Sequence, residues 1–322
     1  MATSNPSVVT AWSGSAAVDR VATALAAVDP SGARFFGTEI RTLCPAPGSL
    51  DSRLCANGDP VELSFIWPGD SLRLSCDPAP GSTAAARLQI ARALCAAELS
   101  ATQCVEVRRL KAWGAGHGRW GGWVGSRLIS GRPKRKLYVE VVAGAPWRTW
   151  GPAARLFVPE ACTRTLTPVM AGFDTSCGSI EVYCRTPPLH RDVIWGLVAA
   201  VGLPPHAGVL VSAVERMTGQ AVRTRLPGHD QGVSITISPG GQVETLTWYT
   251  HADALFGPPA QVRAAYLRAA ADHGWPVRRY AAMSAPDVTG RVPWHGLAGF
   301  SLRGDAQVAI SVTCAVRPLV GR

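Results

Sequence analysis

Short segments of strict period-two alternation run through this chain, each giving one apolar and one polar face. Val61, Leu63, Phe65 and Trp67 alternate with Glu62, Ser64 and Ile66, and Leu72, Leu74 and Cys76 with Ser71, Arg73 and Ser75. Leu137, Val139 and Val141 alternate with Lys136, Tyr138 and Glu140; Ile180, Val182 and Cys184 with Glu181, Tyr183 and Arg185. The same rhythm returns at Val233–Ser238 and at Val308–Thr313. Turn residues separate the paired segments: Pro68-Gly69-Asp70, Ser130-Gly131, Ser176-Cys177-Gly178, Pro239-Gly240-Gly241 and Arg303-Gly304-Asp305.

Between these pairs the period changes to that of a helix. Amphipathic stretches are predicted over Ala17–Val28, Ala84–Leu99 (capped by Ser82-Thr83), Pro152–Ala161, His190–Val201 and Ala260–Asp272. The last opens at Pro258-Pro259 and stops at Gly274. The order is α-β-β five times over. Hairpin-linked strands cannot form a doubly wound parallel sheet, and no GxGxxG follows a strand. The reading is an α+β fold: a ten-stranded antiparallel β-barrel surrounded by helices, with the polar strand faces lining a lumen too wide for side chains to fill. An open sheet with its polar face in water is the alternative. No linker breaks the rhythm, so residues 1–322 are expected to form a single domain.

Composition narrows the class. With 47% hydrophobic and 17% charged residues, the chain is not disordered. The longest apolar run, Val193 to Leu203, is about half of what a membrane helix needs. Neither a basic start nor an apolar segment marks Met1–Gly14 as a signal peptide. Nine scattered cysteines contain no CxxC, which suggests reduced, buried thiols, no structural metal and a cytoplasmic setting. The net charge of +10 suits an anionic partner. The run Arg132-Pro133-Lys134-Arg135-Lys136 is the only support for nucleic acid, and no RNA- or DNA-binding motif accompanies it. A GxSxG elbow is absent, which speaks against a serine hydrolase. Of the eleven tryptophans, Trp113, Trp120, Trp123, Trp147 and Trp150 cluster in the second unit, most of them expected as packing anchors.

The chemistry-bearing residues of the polar faces are Glu62, Arg73, Lys136, Tyr138, Tyr183 and Arg185. Cations and phenols two residues apart on one face, as in Lys136-Leu137-Tyr138, can hold a diphosphate. In order and spacing, Pro60–Ser64 with Leu72-Arg73-Leu74, then Lys136-Leu137-Tyr138, resemble the soluble aromatic prenyltransferases of the ABBA barrel fold, and among them the indole-prenylating, dimethylallyl tryptophan synthase-like branch. Fainter echoes are Ile180–Tyr183, Thr245–Tyr249 and Gly299–Leu302.

That resemblance implies an allylic diphosphate donor, dimethylallyl diphosphate, and an aromatic acceptor such as tryptophan, an indole metabolite or a Trp peptide. Glu62 would bind the indole N–H and act as base; Arg73, Lys136 and Arg185 would hold the diphosphate. Tyr138, Tyr183 and Tyr249 would shield the allyl cation. No Asp-rich motif is present, and Ser64 stands near the position where phenol-prenylating relatives carry a magnesium-binding aspartate, so no cofactor, magnesium included, is implied. The chain departs from the family at Glu181, where a diphosphate-binding lysine is expected and where a carboxylate would repel the donor. Arg185 is the replacement on the same face, while Thr245, Thr247, Ser311 and Thr313 leave the last two units without cations. A phenol or naphthol acceptor, or a non-catalytic barrel binding an anionic aromatic ligand or nucleic acid, are the alternatives.

Overall fold

A computed structural model describes residues 14–44, 52–55, 57–129, 132–145, 166–203 and 206–318. Ten strands close into a barrel in which each is antiparallel to its neighbours. They are β1 (Val61–Trp67), β2 (Ser71–Cys76), β3 (Gly122–Ile129), β4 (Arg132–Glu140) and β5 (Thr167–Asp174). Then follow β6 (Ile180–Arg185), β7 (Gly232–Ile237), β8 (Val243–His251), β9 (Pro293–Arg303) and β10 (Val308–Pro318). Consecutive strands pair throughout, and β1 closes on β10 with Glu62 opposite Ala315 and Ser64 opposite Thr313. The barrel expectation therefore holds over the open-sheet alternative.

The helices lie outside. They are α1 (Gly14–Ala26), α2 (Pro30–Leu43), α3 (Ala84–Cys95), α4 (Ala101–Ala112), α5 (Arg191–Ala200) and α6 (Ala207–Thr218), then the short α7 (Ala252–Phe256), α8 (Pro259–His273) and α9 (Arg278–Met283). Thr83 caps α3 by accepting from the Ala86 N–H at 3.2 Å, and α8 runs from Pro259 to a left-handed Gly274, both as the sequence predicts. The first, second and fourth units carry more helix than expected, because α2, α4 and α6 follow the first helix of their units after short breaks. The helix predicted over Pro152–Ala161, and Trp147, Trp150, Cys162 and the Ser130-Gly131 turn, lie outside the described residues.

The core is the annulus between sheet and helices. Outward side chains of β1 and β2 (Val61, Leu63, Phe65, Trp67, Leu72, Leu74) are buried there. Trp67 is its heaviest anchor: it packs against Tyr266, Trp275 and Tyr280, and its indole N–H donates to the Pro276 carbonyl at 2.7 Å. The eight described cysteines are unpaired, six of them buried. Among the described residues no helix is long and apolar enough to cross a membrane.

Two joints fix loops to the barrel. Gln103, which closes a capping box with Ser100 at the start of α4, donates to the Asp174 and Ser179 carbonyls and so clamps the β5–β6 turn. Glu140, at the end of β4, is buried and accepts the N–H groups of Arg119, Trp120 and Gly121 at 2.8, 2.9 and 2.7 Å. Three backbone donors converge on that one carboxylate, so removing it strands all three. Glu140→Ala is expected to lower unfolding free energy by about 3 kcal/mol. Urea denaturation checks this; an unchanged midpoint would show that water replaces the carboxylate at no cost.

Candidate active site

The inward faces enclose a lumen of about 890 Å³. Its width demands that long inward side chains lie along the wall, and glycines make that possible. A Cβ on Gly125 would meet the Tyr138 ring at 3.0 Å, on Gly172 the Lys136 Cε at 2.5 Å, and on Gly232 the Tyr249 ring at 2.3 Å. Each long side chain thus lies across a glycine of the neighbouring strand.

Glu62 lines the lumen, and Gly296 leaves room for it: a Cβ there would stand 2.6 Å from Glu62 Oε1 and 2.5 Å from Thr313 Oγ1. Burial pushes the Glu62 carboxyl up to about 7, against a hydrogen bond from Thr313 that favours the charged form and with a smaller upward push from Asp59. Near neutrality this group can accept or release a proton. Trp123 also lines the lumen and stacks on Trp120, ring centroids 3.9 Å apart and 17° from parallel.

From Trp123 an aromatic arc continues around the wall. Trp123 pairs with Tyr138 across β3 and β4; Tyr138 and Tyr183 lie 6.1 Å apart, Tyr183 and Tyr249 6.4 Å. Burial raises the Tyr183 and Tyr249 phenols well above their usual range, so both stay neutral.

Arg73 and Arg127 lie one inward step along from Glu62, roughly 7 Å at the strand's rise. Arg73 faces Ser64 on β1 and Arg127 on β3, and Arg127 in turn faces Lys134 on β4. Like charges placed directly opposite repel. Arg127 is relieved by an ion pair with Asp174 at 2.8 Å. Arg73 has no ion pair among the described residues, and its buried Nε has no hydrogen-bond partner. A row of this kind is built to receive an anion.

Lys136 is engaged differently. Its ammonium forms an ion pair with Glu181 and donates to the Tyr183 hydroxyl at 3.1 Å; Tyr183 in turn donates to Glu181 at 2.7 Å, and Ser234 binds the other carboxylate oxygen. Burial, the largest influence on both, works against their charges, but the partner's charge and the hydrogen bonds together outweigh it: Lys136 is raised and Glu181 lowered. The sequence reading treats Glu181 as a free charge repelling a donor; the structure shows a fully hydrogen-bonded partner that neutralises Lys136 instead.

Several sequence expectations are met in placement. Glu62, Arg73, Lys136, Tyr138, Tyr183 and Tyr249 all line the lumen, as do Thr245, Thr247, Ser311 and Thr313. Arg185 does not. It ends β6 opposite Gly232, past the Tyr183–Tyr249 contact, and is exposed; along β6 it lies two inward steps beyond Glu181, on the side away from Lys136 and the Arg73–Arg127 row. The run 132–136 is split: Arg132 and Pro133 are exposed, Lys136 enters the lumen, and Arg135 turns outward to Glu39 at 3.5 Å and the Leu94 carbonyl at 2.7 Å. Arg127 and Asp174 escape the sequence reading, for Asp174 with the β5–β6 hairpin turn at Ser176–Gly178 as the available signal; Trp123, named there in a cluster expected mostly to pack, lines the lumen.

No protein-family model matches the sequence, and no curated protein does. Solved structures match over nearly the whole chain. The 5-dimethylallyl tryptophan synthase from Streptomyces coelicolor, in complex with DMASPP and Trp, superposes with a TM-score of 0.73 at 16% identity, covering 97% of this chain and 98% of that one. The 6-dimethylallyltryptophan synthase from Micromonospora olivasterospora gives 0.73 at 16%, over 94% and 97%. The prenyltransferase PriB, in complex with product diphosphate, gives 0.70 at 18%, over 95% and 98%. This chain has the ABBA prenyltransferase fold. Within that barrel Glu62, Arg73, Arg127, Lys136 and Glu181 line the wall from β1–β6, while β7–β10 add mainly hydroxyls together with Glu244, Tyr249 and Arg303.

Glu62 makes stability depend on pH. Its folded pKa lies above the unfolded value, so the native state holds the extra proton between about 4.5 and 7 and stability falls as pH rises through that window. Wild type is expected to lose up to about 3 kcal/mol relative to Glu62→Gln between pH 5 and 8. Parallel pH dependences of the two unfolding free energies would remove Glu62 as the titrating group.

Proposed function

We propose that this protein is an aromatic prenyltransferase that moves a dimethylallyl group from an allylic diphosphate to an indole ring. The observation that carries the reading is the juxtaposition, in one closed lumen, of Glu62, the Trp123–Tyr138–Tyr183–Tyr249 arc and the Arg73–Arg127 row. It is supported by the similar structures, which hold DMASPP with Trp, or diphosphate, in barrels of this fold.

Arg73 and Arg127, with Lys136, stabilise the diphosphate as the C–O bond breaks and negative charge grows on the leaving group. The allyl cation forms against the neutral tyrosine faces, which attract it without trapping it, while the barrel wall excludes water. Glu62 accepts the indole N–H hydrogen bond, which raises the ring's nucleophilicity. The ring attacks the cation carbon, and loss of the ring proton restores aromaticity; Glu62, with its carboxyl near 7, is the base. Ser64, which faces Arg73, offers no carboxylate for magnesium, which favours a metal-independent donor site. The splitting of the basic run 132–136 between lumen and outer layer weighs against a nucleic-acid reading.

Incubation with dimethylallyl diphosphate and a panel of indoles and phenols, with and without EDTA, is expected to yield a product one prenyl group heavier by mass spectrometry in both conditions. Absence of product with every acceptor would refute the reading. Turnover should rise with pH through about 7 as Glu62 deprotonates, and Glu62→Gln should lower it by about 100-fold or more while leaving diphosphate binding in place. Arg73→Gln should instead weaken donor binding, by about tenfold or more.

A further inference from the structure

Glu181 is the feature of the lumen that opposes its proposed ligand, and its surroundings show that it is held there. Oε2 takes Lys136 Nζ and the Tyr183 hydroxyl, and Oε1 takes the Ser234 hydroxyl. Tyr183 completes a closed triangle by accepting from Lys136 while donating to Glu181. Lys136 itself is laid across Gly172, with the Tyr138 and Tyr183 rings 5.3 and 5.4 Å from its nitrogen. The ammonium therefore already has an anion before any ligand enters.

Charge around the donor end follows. Of the lumen cations Arg73, Arg127 and Lys136, Arg127 is paired with Asp174 and Lys136 with Glu181. Arg73 is the one of the three left without a carboxylate among the described residues, a smaller surplus than a diphosphate would meet were Lys136 free. We infer that Glu181 is a specificity-determining residue of the donor pocket, a built-in competitor for Lys136 that lowers affinity for a diphosphate and brings it close to that for a monophosphate. The inference rests on the donor-site reading above and concerns which phosphate group that site prefers.

Calorimetric titration with inorganic pyrophosphate and inorganic phosphate, in EDTA at fixed pH and salt, tests it without turnover. Glu181→Gln is expected to tighten pyrophosphate by about tenfold, the worth of one charge-assisted contact, and phosphate by less. Glu181→Ala should do the same if glutamine keeps hold of Lys136. In a Lys136→Met background the same changes at Glu181 should leave pyrophosphate affinity unaltered, because the effect runs through that ammonium. If wild type binds pyrophosphate and Arg73→Gln weakens it, yet neither Glu181 variant tightens it, the inference fails and the donor site stands. Equal tightening with and without Lys136 also overturns it. Pyrophosphate binding by none of the proteins would bring down the donor-site reading and the inference together.

Discussion

Closure of β1 on β10 is the constraint from which the remaining architecture follows. Once Glu62 is opposite Ala315 and Ser64 opposite Thr313, no strand edge is left and each strand has one face inside and one outside. A ten-stranded ring is too wide for its inner side chains to meet at the axis, so the inner face stays partly wet while the outer face must be covered by helices. That explains why the large apolar side chains, Trp67, Trp248, Phe173 and Phe300 among them, point away from the barrel axis into the helical layer. The functional surface is the concave inner side of the sheet, shaped by the strands themselves.

An inner face of this kind collects charges that cannot all be left alone. Arg127 is neutralised by Asp174 and Lys136 by Glu181, while Arg73 has no such partner among the described residues and Glu62 responds to burial by holding its proton to about pH 7. One wall thus holds a desolvated acid and, one inward step along, the Arg73–Arg127 pair, while Lys136 shares the register row of Glu62 and Tyr138 lies one step the other way.

Much of this was legible before the fold was known. Strands such as β1, β2, β4 and β6 announce themselves by alternation, and the αββ order leads to the barrel. β3 and β5 do not, for physical reasons: β3 places Gly125 inside and Ser126 outside, and β5 carries Gly172 inside and a register shift between Pro168 and Met170. Arg127 and Asp174 sit on these two strands and were missed with them. Glu181 stands out in the sequence as an anomaly, but its partners could not be read, since Lys136 and Ser234 come from β4 and β7, strands nearby along the wall that reach it over Gly172 of β5 and directly across the β6–β7 pair. Arg185 failed by its level along the strand: the face was right, but β6 carries it away from Lys136 and the Arg73–Arg127 row.

The glycines beneath the long side chains have a further meaning for how such a cavity changes over evolution. Because Tyr138, Lys136 and Tyr249 each lie flat over a glycine of the next strand, the free space of the lumen is governed by residues with no side chain to offer a ligand. Replacing one of them would tip its tenant toward the axis, narrowing the room and re-aiming a functional group in a single step. Ligand range in this barrel can therefore drift through positions that an inspection of ligand contacts would pass over.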